Sequence, residues 1–557
     1  MVFRTVIIGA GPAGLTAAYG LAKQGERARR KDLAEQKELA EQGQPARSSA
    51  PSTTQSSSQT ATASSKEWAA PVHQAIVLEQ SCHVGGRSRY ETYQGYTFDL
   101  GAHRFTTQIP DVQALWEELL TSDLISVAGL SRIVYRDRFF DYPPAFTNAL
   151  KQIGPIDTVL GAISYLAAQV QAQLFPPLDT NTAEKTAKHW LVSHFGSHLY
   201  HLFFESYVQK ILGIPATEVH SDWVDSHLVE KSLPNTMAAA LSRSSGTAST
   251  VFSYPLLGPG MLWERCRTRI EMLGSKVHTR AKVVHIERTG DRIDRVIVQQ
   301  QAIQRQAVQK QRIQTQASRS TAKPNALAPN ALAPNALAPN ALAPNNLARR
   351  EITLSVIEAD QFISSLPLAD LIARLDPPAP PLVRTAARQL KHRSSIMVPL
   401  IIPAAELFPD ATLYIHDPNL HVGRIQNFKN WSAAMVPEQD KTCLGLEYFC
   451  TEGDHLWRMR DDELVRLACQ ELVALELVLD TSWAENSATA ATVIRQPKSH
   501  PLLTQDYYKP LAIVQDYLST FENLQTVGND GLHCDRQGLV IVLGQQRMAF
   551  GLTNDGS

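Results

Sequence analysis

The stretch Val6-Ile7-Ile8-Gly9-Ala10-Gly11-Pro12-Ala13-Gly14 decides the fold, and it lies close to the start of the 557-residue chain. Its three β-branched residues predict a buried strand, and the run from Leu15 to Ala22 after the glycines has the composition of a helix. A G-x-G-x-x-G pattern between a strand and a helix is typical of dinucleotide binding. Gly9 permits the tight turn, Gly11 lets the backbone approach a pyrophosphate, and Gly14 lets helix and strand pack closely.

The acidic residue of a dinucleotide-binding unit is expected at the end of the second strand, where it binds a ribose hydroxyl, about 20 residues past the glycines. The strand-like run Ala75-Ile76-Val77-Leu78 ends on Glu79, which lies much farther from Gly14 than that. Residues 24–41 in between are charged and polar, and residues 42–66 are rich in Ser, Thr, Gln and Ala. Such a composition buries too little apolar surface to fold, so residues 26–72 are predicted to be a disordered insertion.

Two more motifs follow Glu79: Val84-Gly85-Gly86-Arg87-Ser88-Arg89, and then Phe98-Asp99-Leu100-Gly101-Ala102-His103-Arg104-Phe105. A glycine pair followed by an arginine offers a second close backbone approach and a cation beside a diphosphate, which a nicotinamide site does not need. Together with the glycine turn and Glu79, these motifs resemble the FAD-binding half of the flavin amine oxidase superfamily. That superfamily includes protoporphyrinogen oxidase-like and phytoene desaturase-like enzymes and the UDP-galactopyranose mutases.

The resemblance implies an α/β protein in which a Rossmann-type FAD-binding domain carries an inserted α+β substrate or cap domain. It continues over residues 207–215, over the glycine loop at residues 254–261 and over the strand-like runs 282–286 and 359–367. FAD is the implied cofactor, and Val283 is implied to contact the adenine through its backbone. The residues that the resemblance assigns to FAD binding are Gly9, Gly11, Gly14, Glu79, Gly85, Gly86, Arg87, Gly101, His103, Arg104, Gly258, Gly260, Val283 and Gly528.

Changes in composition and periodicity predict the domain boundaries. Helical periodicity marks a cap domain, and alternation of apolar and polar residues marks a substrate-domain sheet. A five-residue repeat with a proline in each copy, beginning at Pro324, excludes a helix and marks a second, low-complexity insertion. The predicted segments are 1–105, 251–375 and 511–557 for the FAD-binding domain, 106–250 for the helical cap, 376–510 for the substrate-domain sheet and 300–349 for the second insertion.

Two classes of flavin chemistry fit these motifs. In the first, a hydride leaves a C–H or C–N bond of a small organic substrate for the flavin. In the second, as in the mutases, reduced flavin acts as a nucleophile on a nucleotide sugar. The segment 416–432 resembles the mutase segment that carries a diphosphate-binding arginine. The substrate-binding candidates are therefore Arg424, Asn427 and His227.

The favoured hypothesis is oxidation, because His227 stands where the mutases have a second diphosphate-binding arginine. A neutral imidazole is a poor replacement for a permanent, bidentate cation. An oxidised substrate needs mainly an apolar cleft above the flavin, and Phe139, Phe140 and Tyr142 are predicted to line it. No catalytic residue is assigned.

The C-terminus departs from the family pattern. Asn529 occupies the position of an expected arginine after Gly528, and none of the expected flavin-contacting residues follows Cys534. These differences support a third hypothesis, in which the protein binds flavin but has lost turnover.

Composition limits the classes of partner that the protein is expected to bind. A net charge of −1 does not favour nucleic acid or an anionic membrane. The six cysteines form no C-x-x-C pair and no metal-binding spacing, so no metal site and a reducing, cytoplasmic location are expected.

The first apolar run ends at the glycine turn, so no signal peptide is expected. Residues 159–174 are apolar but short for a membrane span, which favours a buried cap helix, with weak membrane contact as the alternative. The expected partner is a small-molecule substrate.

Overall fold

A computed structural model describes most of the chain, and the statements below concern this part. The described residues are 2–41, 72–101, 103, 105, 107, 109–136, 138–142, 153–174, 186–227, 250–302, 351–479 and 491–528.

Within these residues, the strands in chain order are β1 (Val2–Ile8), β2 (Val72–Leu78), β3 (Tyr90–Tyr93), β4 (Tyr96–Asp99), β5 (Leu124–Gly129), β6 (Ser131–Tyr135), β7 (Arg138–Asp141), β8 (Thr250–Pro255), β9 (Lys276–His278), β10 (Ala281–Thr289), β11 (Arg292–Ala302), β12 (Glu351–Glu358), β13 (Gln361–Ser364), β14 (Leu375–Asp376), β15 (His392–Ile402), β16 (Thr412–Ile415), β17 (Val422–Asn427), β18 (Thr442–Cys450), β19 (Ile494–Pro501) and β20 (Leu524–Thr526).

The α-helices in the same residues are α1 (Pro12–Glu41), α2 (Pro110–Leu120), α3 (Pro155–Leu174), α4 (Ala187–Leu199), α5 (Glu205–Leu212), α6 (Asp222–His227), α7 (Gly260–Met272), α8 (Leu368–Arg374), α9 (Pro381–Gln389), α10 (Phe428–Trp431), α11 (His455–Arg458), α12 (Asp461–Ala474) and α13 (Tyr508–Ser519). A π-helical turn, Tyr200–Phe204, joins α4 to α5.

A five-stranded parallel sheet surrounds the glycine turn, in the order β9-β2-β1-β13-β20. Chain order reverses at β1, which has β2 on one side and β13 on the other. Ligands of α/β sheets bind at such a switch point, beyond the carboxyl ends of the strands. Apolar residues of the sheet and of α1 and α7 form one core, including Ile7, Leu15, Val77, Cys266 and Ile363. The predicted α/β fold class is confirmed.

A seven-stranded sheet, ordered β19-β15-β18-β17-β16-β6-β7, forms the second large layer. One face of it buries Ile425 and Leu446 in a core with Leu464 of α12. Strands β6 and β7 belong to this sheet, although residues 106–250 were predicted to be a helical cap. Their β-branched and aromatic residues, such as Ile133 and Phe140, suit a pleated and buried surface.

Helix α1 extends to Glu41, so the prediction of disorder is wrong for residues 26–41. This part of α1 consists largely of strong helix formers. An ion pair of 2.8 Å links Glu26 to Arg30 at (i, i+4) spacing, and Arg29 Nη1 donates to the carbonyl of Leu273 at 3.2 Å. Residues 42–71 and 303–349, which make up most of the two predicted insertions, lie outside the described residues.

Helix α3 contradicts the prediction of a buried cap helix. Its large apolar side chains, from Ile156 to Leu174, are exposed. Its one charged residue, Asp157, instead faces His198 of α4 at 3.0 Å. Among the described helices, none has the length and apolarity needed to cross a membrane.

Candidate functional site

The glycine turn at the end of β1 has the geometry that its three glycines predict. Gly9 has a φ of 99°, and its N–H donates to the carbonyl of Leu78 at 2.8 Å. A Cβ on Gly14 would overlap the carbonyl oxygen of Gly9, so a glycine is needed for close packing there. A Cβ on Gly11 would meet only the Cα of Gly86, at 4.0 Å. Space is therefore open above Gly11, where a pyrophosphate is expected.

Glu79 stands at the end of β2, beside this turn. Its Oε2 accepts from the N–H of Ala10 at 2.8 Å, and its Oε1 accepts from the N–H of Ser81 at 2.8 Å. The side chain is largely buried, with 9% of the residue exposed. These bonds fix a carboxylate at the edge of the turn, where the acidic residue of a dinucleotide site binds a ribose.

The second glycine motif packs directly on the first. Gly85 has a φ of 98°, and its N–H donates to the carbonyl of Ala10 at 2.8 Å. A Cβ on Gly86 would lie 3.0 Å from the Cα of Gly11, so a glycine is needed at position 86 for the two segments to pack this closely. Arg87 donates through Nη1 to the carbonyl of Ser499 in β19. Arg87 therefore links this glycine cradle, Gly9–Gly14 with Gly85 and Gly86, to the seven-stranded sheet.

Three further FAD-binding candidates outside the cradle are Gly528, Val283 and Arg104. Gly528 stands above the start of α1, where its Cβ would lie 3.6 Å from that of Ala13. The carbonyl of Val283 in β10 already accepts from Arg374 Nε at 3.0 Å. Arg104 lies outside the described residues.

The glycine loop before α7 borders the motif that ends β4. Gly258 lies near Tyr254, and Gly260 packs against the backbone of Tyr90 in β3. The hydroxyl of Tyr254 donates to Oδ2 of Asp99 at 3.4 Å. This loop is therefore placed beside the Asp99 carboxylate.

Asp99 is fully buried and orients His103. Its Oδ1 lies 2.8 Å from His103 Nδ1 and accepts from the N–H of Gly101 at 3.2 Å. A ring nitrogen that faces a carboxylate carries a proton, which leaves Nε2 of His103 to titrate. Burial lowers the pKa of His103, but the Asp99 carboxylate outweighs this effect and the net shift is upward. The pair has the base-and-orienter arrangement found in many active sites.

Arg424 and Glu447 form a buried ion pair on the adjacent strands β17 and β18. Nε and Nη2 of Arg424 both donate to Oε2 of Glu447, at 2.8 and 2.7 Å. The side chains are 17% and 2% exposed. Burial raises the pKa of Glu447, and the arginine opposes this shift without cancelling it. The charges of Arg424 and Glu447 also act on the pKa of His103, the first lowering it and the second raising it.

Three tyrosines surround this pair on the same face of the seven-stranded sheet. Tyr414 of β16 lies opposite Arg424 in the strand register, and Tyr142 stacks on its ring with centroids 4.2 Å apart. Tyr207 of α5 is buried, and burial raises its pKa while Arg424 opposes the rise. We call the face that carries Tyr414, Arg424 and Glu447 the site face.

Phe139 and Phe140, which were predicted to line one cleft with Tyr142, lie on opposite faces of the sheet. Phe140 lies on the same face of the sheet as Tyr414, where it is buried and meets the edge of Phe203. Phe139 lies under the guanidinium of Arg132, 4.4 Å from it, on the opposite side of the sheet. Successive residues of a strand point to opposite faces, which is why the pair cannot share one cleft.

The two other substrate-binding candidates are separated from Arg424. From Arg424 to Asn427 the strand is regular, so Asn427 shares the face of Ile425, away from the site face. Asn427 is buried, and its Nδ2 lies 3.5 Å from the carbonyl of Phe408. His227 is the last residue of α6, and its side chain is not among those that the structure describes.

Half-buried Lys210 and buried His416 hold the turn between β16 and β17 against α5 and the π-helical turn before it. Lys210 Nζ donates to three carbonyl oxygens of the turn between β16 and β17 at 2.7–3.1 Å, those of Ile415, Asp417 and Val422. Burial lowers the pKa of Lys210 to about 8. His416 Nδ1 donates to the carbonyl of Phe203 at 2.7 Å, and its ring stacks on Tyr207 at 3.8 Å.

Asp99 and Glu447 were not predicted as site residues, although the sequence around each of them carries a signal. Asp99 stands inside a motif from which only Gly101, His103 and Arg104 were selected. Glu447 is the one charged residue of β18, whose nine residues are all buried. A carboxylate within such an apolar strand requires a buried partner, and the partner is Arg424.

The cradle fits the phosphates of FAD. Gly11 and Gly86 leave a bare backbone around open space, and the start of α1 supplies N–H groups without intrahelical acceptors. No acidic residue stands in the first turn of α1 to repel an anion. Glu79 is placed for the ribose. The residues that would hold the cofactor are therefore those of the cradle together with Glu79.

Comparison with known proteins supports this interpretation. Residues 69–334 match the model of the family described as flavin containing amine oxidoreductase. This match confirms the resemblance found in the sequence and the flavin cofactor, FAD, that it implied. A search of curated proteins gives no match.

Solved structures resemble the whole chain. Reduced UDP-galactopyranose mutase gives a TM-score of 0.64 at 14% identity, covering 100% of this chain and 97% of the other. A putative protoporphyrinogen oxidase from Exiguobacterium sp. gives 0.59 at 14% identity, with 98% and 99% covered. A fatty acid isomerase from P. acnes gives 0.53 at 12% identity, with 98% of each chain covered. At these identities the likeness shows the fold.

Proposed function

We propose that this protein is an FAD-dependent oxidoreductase that oxidises a small organic substrate between the cradle and the site face. Bound FAD would supply the hydride acceptor. The chain's own residues would bind the substrate, orient it and exclude water.

The observation that carries the proposal is the Arg424–Glu447 pair. A nucleotide-sugar diphosphate brings two negative charges, which a mutase must hold with fixed cations. Arg424 is already matched by a buried carboxylate 2.7 Å away. To release it for a diphosphate would leave Glu447 buried without a partner, which costs several kcal/mol. A neutral or zwitterionic substrate meets no such cost.

His103 and the three tyrosines supply the other functional groups of this site. The Asp99 carboxylate holds His103 Nδ1, so His103 Nε2 is the atom at which a proton would be taken up or released. The rings of Tyr142, Tyr207 and Tyr414 present apolar faces and hydroxyl groups around Arg424. We therefore expect a substrate with both an apolar body and a polar group.

Flavin absorbance and substrate-dependent bleaching test the proposal. The FAD-loaded chain is mixed without oxygen with panels of amines, amino acids and alcohols. We expect at least one class to bleach the flavin band, and His103→Gln to slow bleaching while flavin content is unchanged. A yellow protein that none of these compounds reduces would favour the hypothesis of lost turnover.

The mutase remains the second candidate, because Arg424 lies on the site face and its charge acts on His103. UDP binding, followed by flavin fluorescence, separates the two candidates. Oxidation predicts no binding at micromolar UDP. Arg132 is a matched control, since it pairs with Asp410 at 2.8 Å on the opposite face of the same sheet. Micromolar UDP binding that Arg424→Met abolishes and Arg132→Met preserves would overturn the proposal in favour of a mutase.

A further inference from the structure

Helix α3 carries an exposed apolar stripe along its full length. Seven aliphatic side chains in it are 45–74% exposed: Ile156, Val159, Leu160, Ile163, Leu166, Val170 and Leu174. From the first to the last, the stripe is about 27 Å long. A continuous exposed patch of this kind on a soluble domain marks an interaction surface.

Three polar side chains of α3 face the protein instead, whereas Gln171 and Gln173 near its end are exposed. Asp157 pairs with His198 at 3.0 Å, Gln169 Nε2 donates to the carbonyl of Ser193 at 3.1 Å, and Ser164 Oγ accepts from the N–H of His198 at 3.2 Å. A surface helix ordinarily turns its apolar stripe to the core and its polar side to water. The orientation of α3 is the reverse, and three polar contacts hold it.

The composition of α3 indicates what covers the stripe. Asp157 is its one charged residue, the helix contains no lysine or arginine, and its one aromatic residue, Tyr165, is half-buried. Helices that lie in a membrane interface use basic residues for anionic headgroups and aromatic residues as anchors. A charged protein partner would find no complementary charge either. A partner with an equally neutral, aliphatic surface is required, and a second copy of α3 is such a surface.

The stripe is also complementary to itself. When two copies of α3 run antiparallel about a two-fold axis near Tyr165, Ile156 faces Leu174, Leu160 faces Val170 and Ile163 faces Ala167. Ala167 is exposed and small, so it leaves room for the larger Ile163 of the other copy. In a two-fold interface, residue i meets j while j meets i, which this spacing satisfies. The stripe would form the apolar centre of an interface that typically buries about 800 Å² on each partner.

We propose that the protein is a homodimer in which the exposed stripe of α3 packs antiparallel on the same stripe of a second chain. This inference does not depend on the proposed oxidoreductase activity, because α3 holds none of the cradle or site-face residues.

Light scattering and sedimentation of the full, FAD-loaded chain test it. We expect a dimer at micromolar concentration, and a monomer for Leu166→Asp with flavin content and melting temperature within error of the parent chain. Leu382 of α9 is a matched control, since it is 67% exposed against 61% for Leu166. Leu382→Asp should remain a dimer. A monomeric parent chain, or a Leu166→Asp variant that still dimerises, would overturn the proposal.

Two further measurements test the partner and the register. In a background where Cys82 and Cys534 are replaced by Ser, an oxidised mixture of Leu160→Cys and Val170→Cys chains should form a cross-linked dimer. Each variant alone should not, and cross-linking of Leu160→Cys by itself would refute the antiparallel register. Binding of a monomeric parent chain to phosphatidylcholine vesicles, lost in Leu166→Asp, would assign the stripe to lipid.

Discussion

The glycine cradle and the site face are linked by Arg87, which reaches β19 of the seven-stranded sheet, but they are built in opposite ways. The cradle consists of backbone from two short segments, and Gly9 and Gly85 give it shape through their positive φ angles. The site face consists of side chains brought from distant positions, such as Tyr207, Arg424 and Glu447. A backbone site depends on the absence of side chains, whereas a side-chain site depends on matched partners. Substitutions should therefore act differently in the two regions.

The largest effect is expected at the cradle, where Gly11→Val should abolish flavin retention. The added side chain would occupy the space above the turn, and a Cβ there meets only the Cα of Gly86, at 4.0 Å. The fold should therefore survive while the pyrophosphate loses its place. Flavin absorbance of the purified protein measures the loss, and circular dichroism checks the fold.

Gly14→Val is the matched control for that experiment. A Cβ at Gly14 would overlap the carbonyl oxygen of Gly9, so this variant should lose both flavin and folded structure. Equal flavin content in Gly11→Val and the parent chain would show that the cradle is not the phosphate site.

On the site face, Arg424→Met should lower the free energy of unfolding by about 3 kcal/mol, because it leaves Glu447 buried without its partner. Since apolar residues of similar volume can replace a buried pair, the double variant Arg424→Met/Glu447→Leu should recover most of this loss. Urea denaturation of the parent chain, the single variant and the double variant measures both effects. A double variant no more stable than the single one would show that the unpaired Glu447 carboxylate is not what destabilises Arg424→Met.

A smaller effect is expected at His416, whose ring stacks on Tyr207 of α5. Burial lowers the pKa of His416 to about 3, whereas an unfolded histidine titrates near 6.5. Between these two values the unfolded chain binds a proton that the native protein does not bind. Stability therefore falls as the pH falls through this window, and His416 accounts for about 1.5 kcal/mol between pH 6.5 and 5.

His416→Gln removes this titration and keeps a donor for the carbonyl of Phe203. Denaturation at several pH values should show a shallower decline for the variant than for the parent chain. Parallel declines for the two proteins would mean that His416 is not buried in its neutral form.

The smallest effect is expected at Asn427, which the structure places away from the site face. Its Oδ1 is buried without a hydrogen-bond partner, and its Nδ2 contact of 3.5 Å is long. Asn427→Leu should change the free energy of unfolding by no more than about 0.5 kcal/mol. Substrate-dependent bleaching should also be unchanged. A variant that folds but no longer reduces its flavin would return Asn427 to the substrate site.

Sequence determined the cradle, because each part of it depends on a few neighbouring residues. A strand, three glycines and a helix start specify the turn between β1 and α1, and the second glycine pair specifies its own positive φ angles. Glu79 could be found as a strand end despite the long insertion before it. The α/β class and the flavin cofactor followed from these local patterns.

Only the tertiary structure decided the site face, the extent of α1 and the orientation of α3. Arg424 and Glu447 are paired by strand register, which a single sequence does not display. The same register sends Asn427 to the opposite face. The polar residues of α1 up to Glu41 suit either a solvated helix or a disordered segment, and local composition does not distinguish them. The apolar stripe of α3 has the period of a core helix, and only its contacts with α4 show that the stripe faces outward. Periodicity gives the faces of a helix, whereas packing against the rest of the chain decides which face is buried.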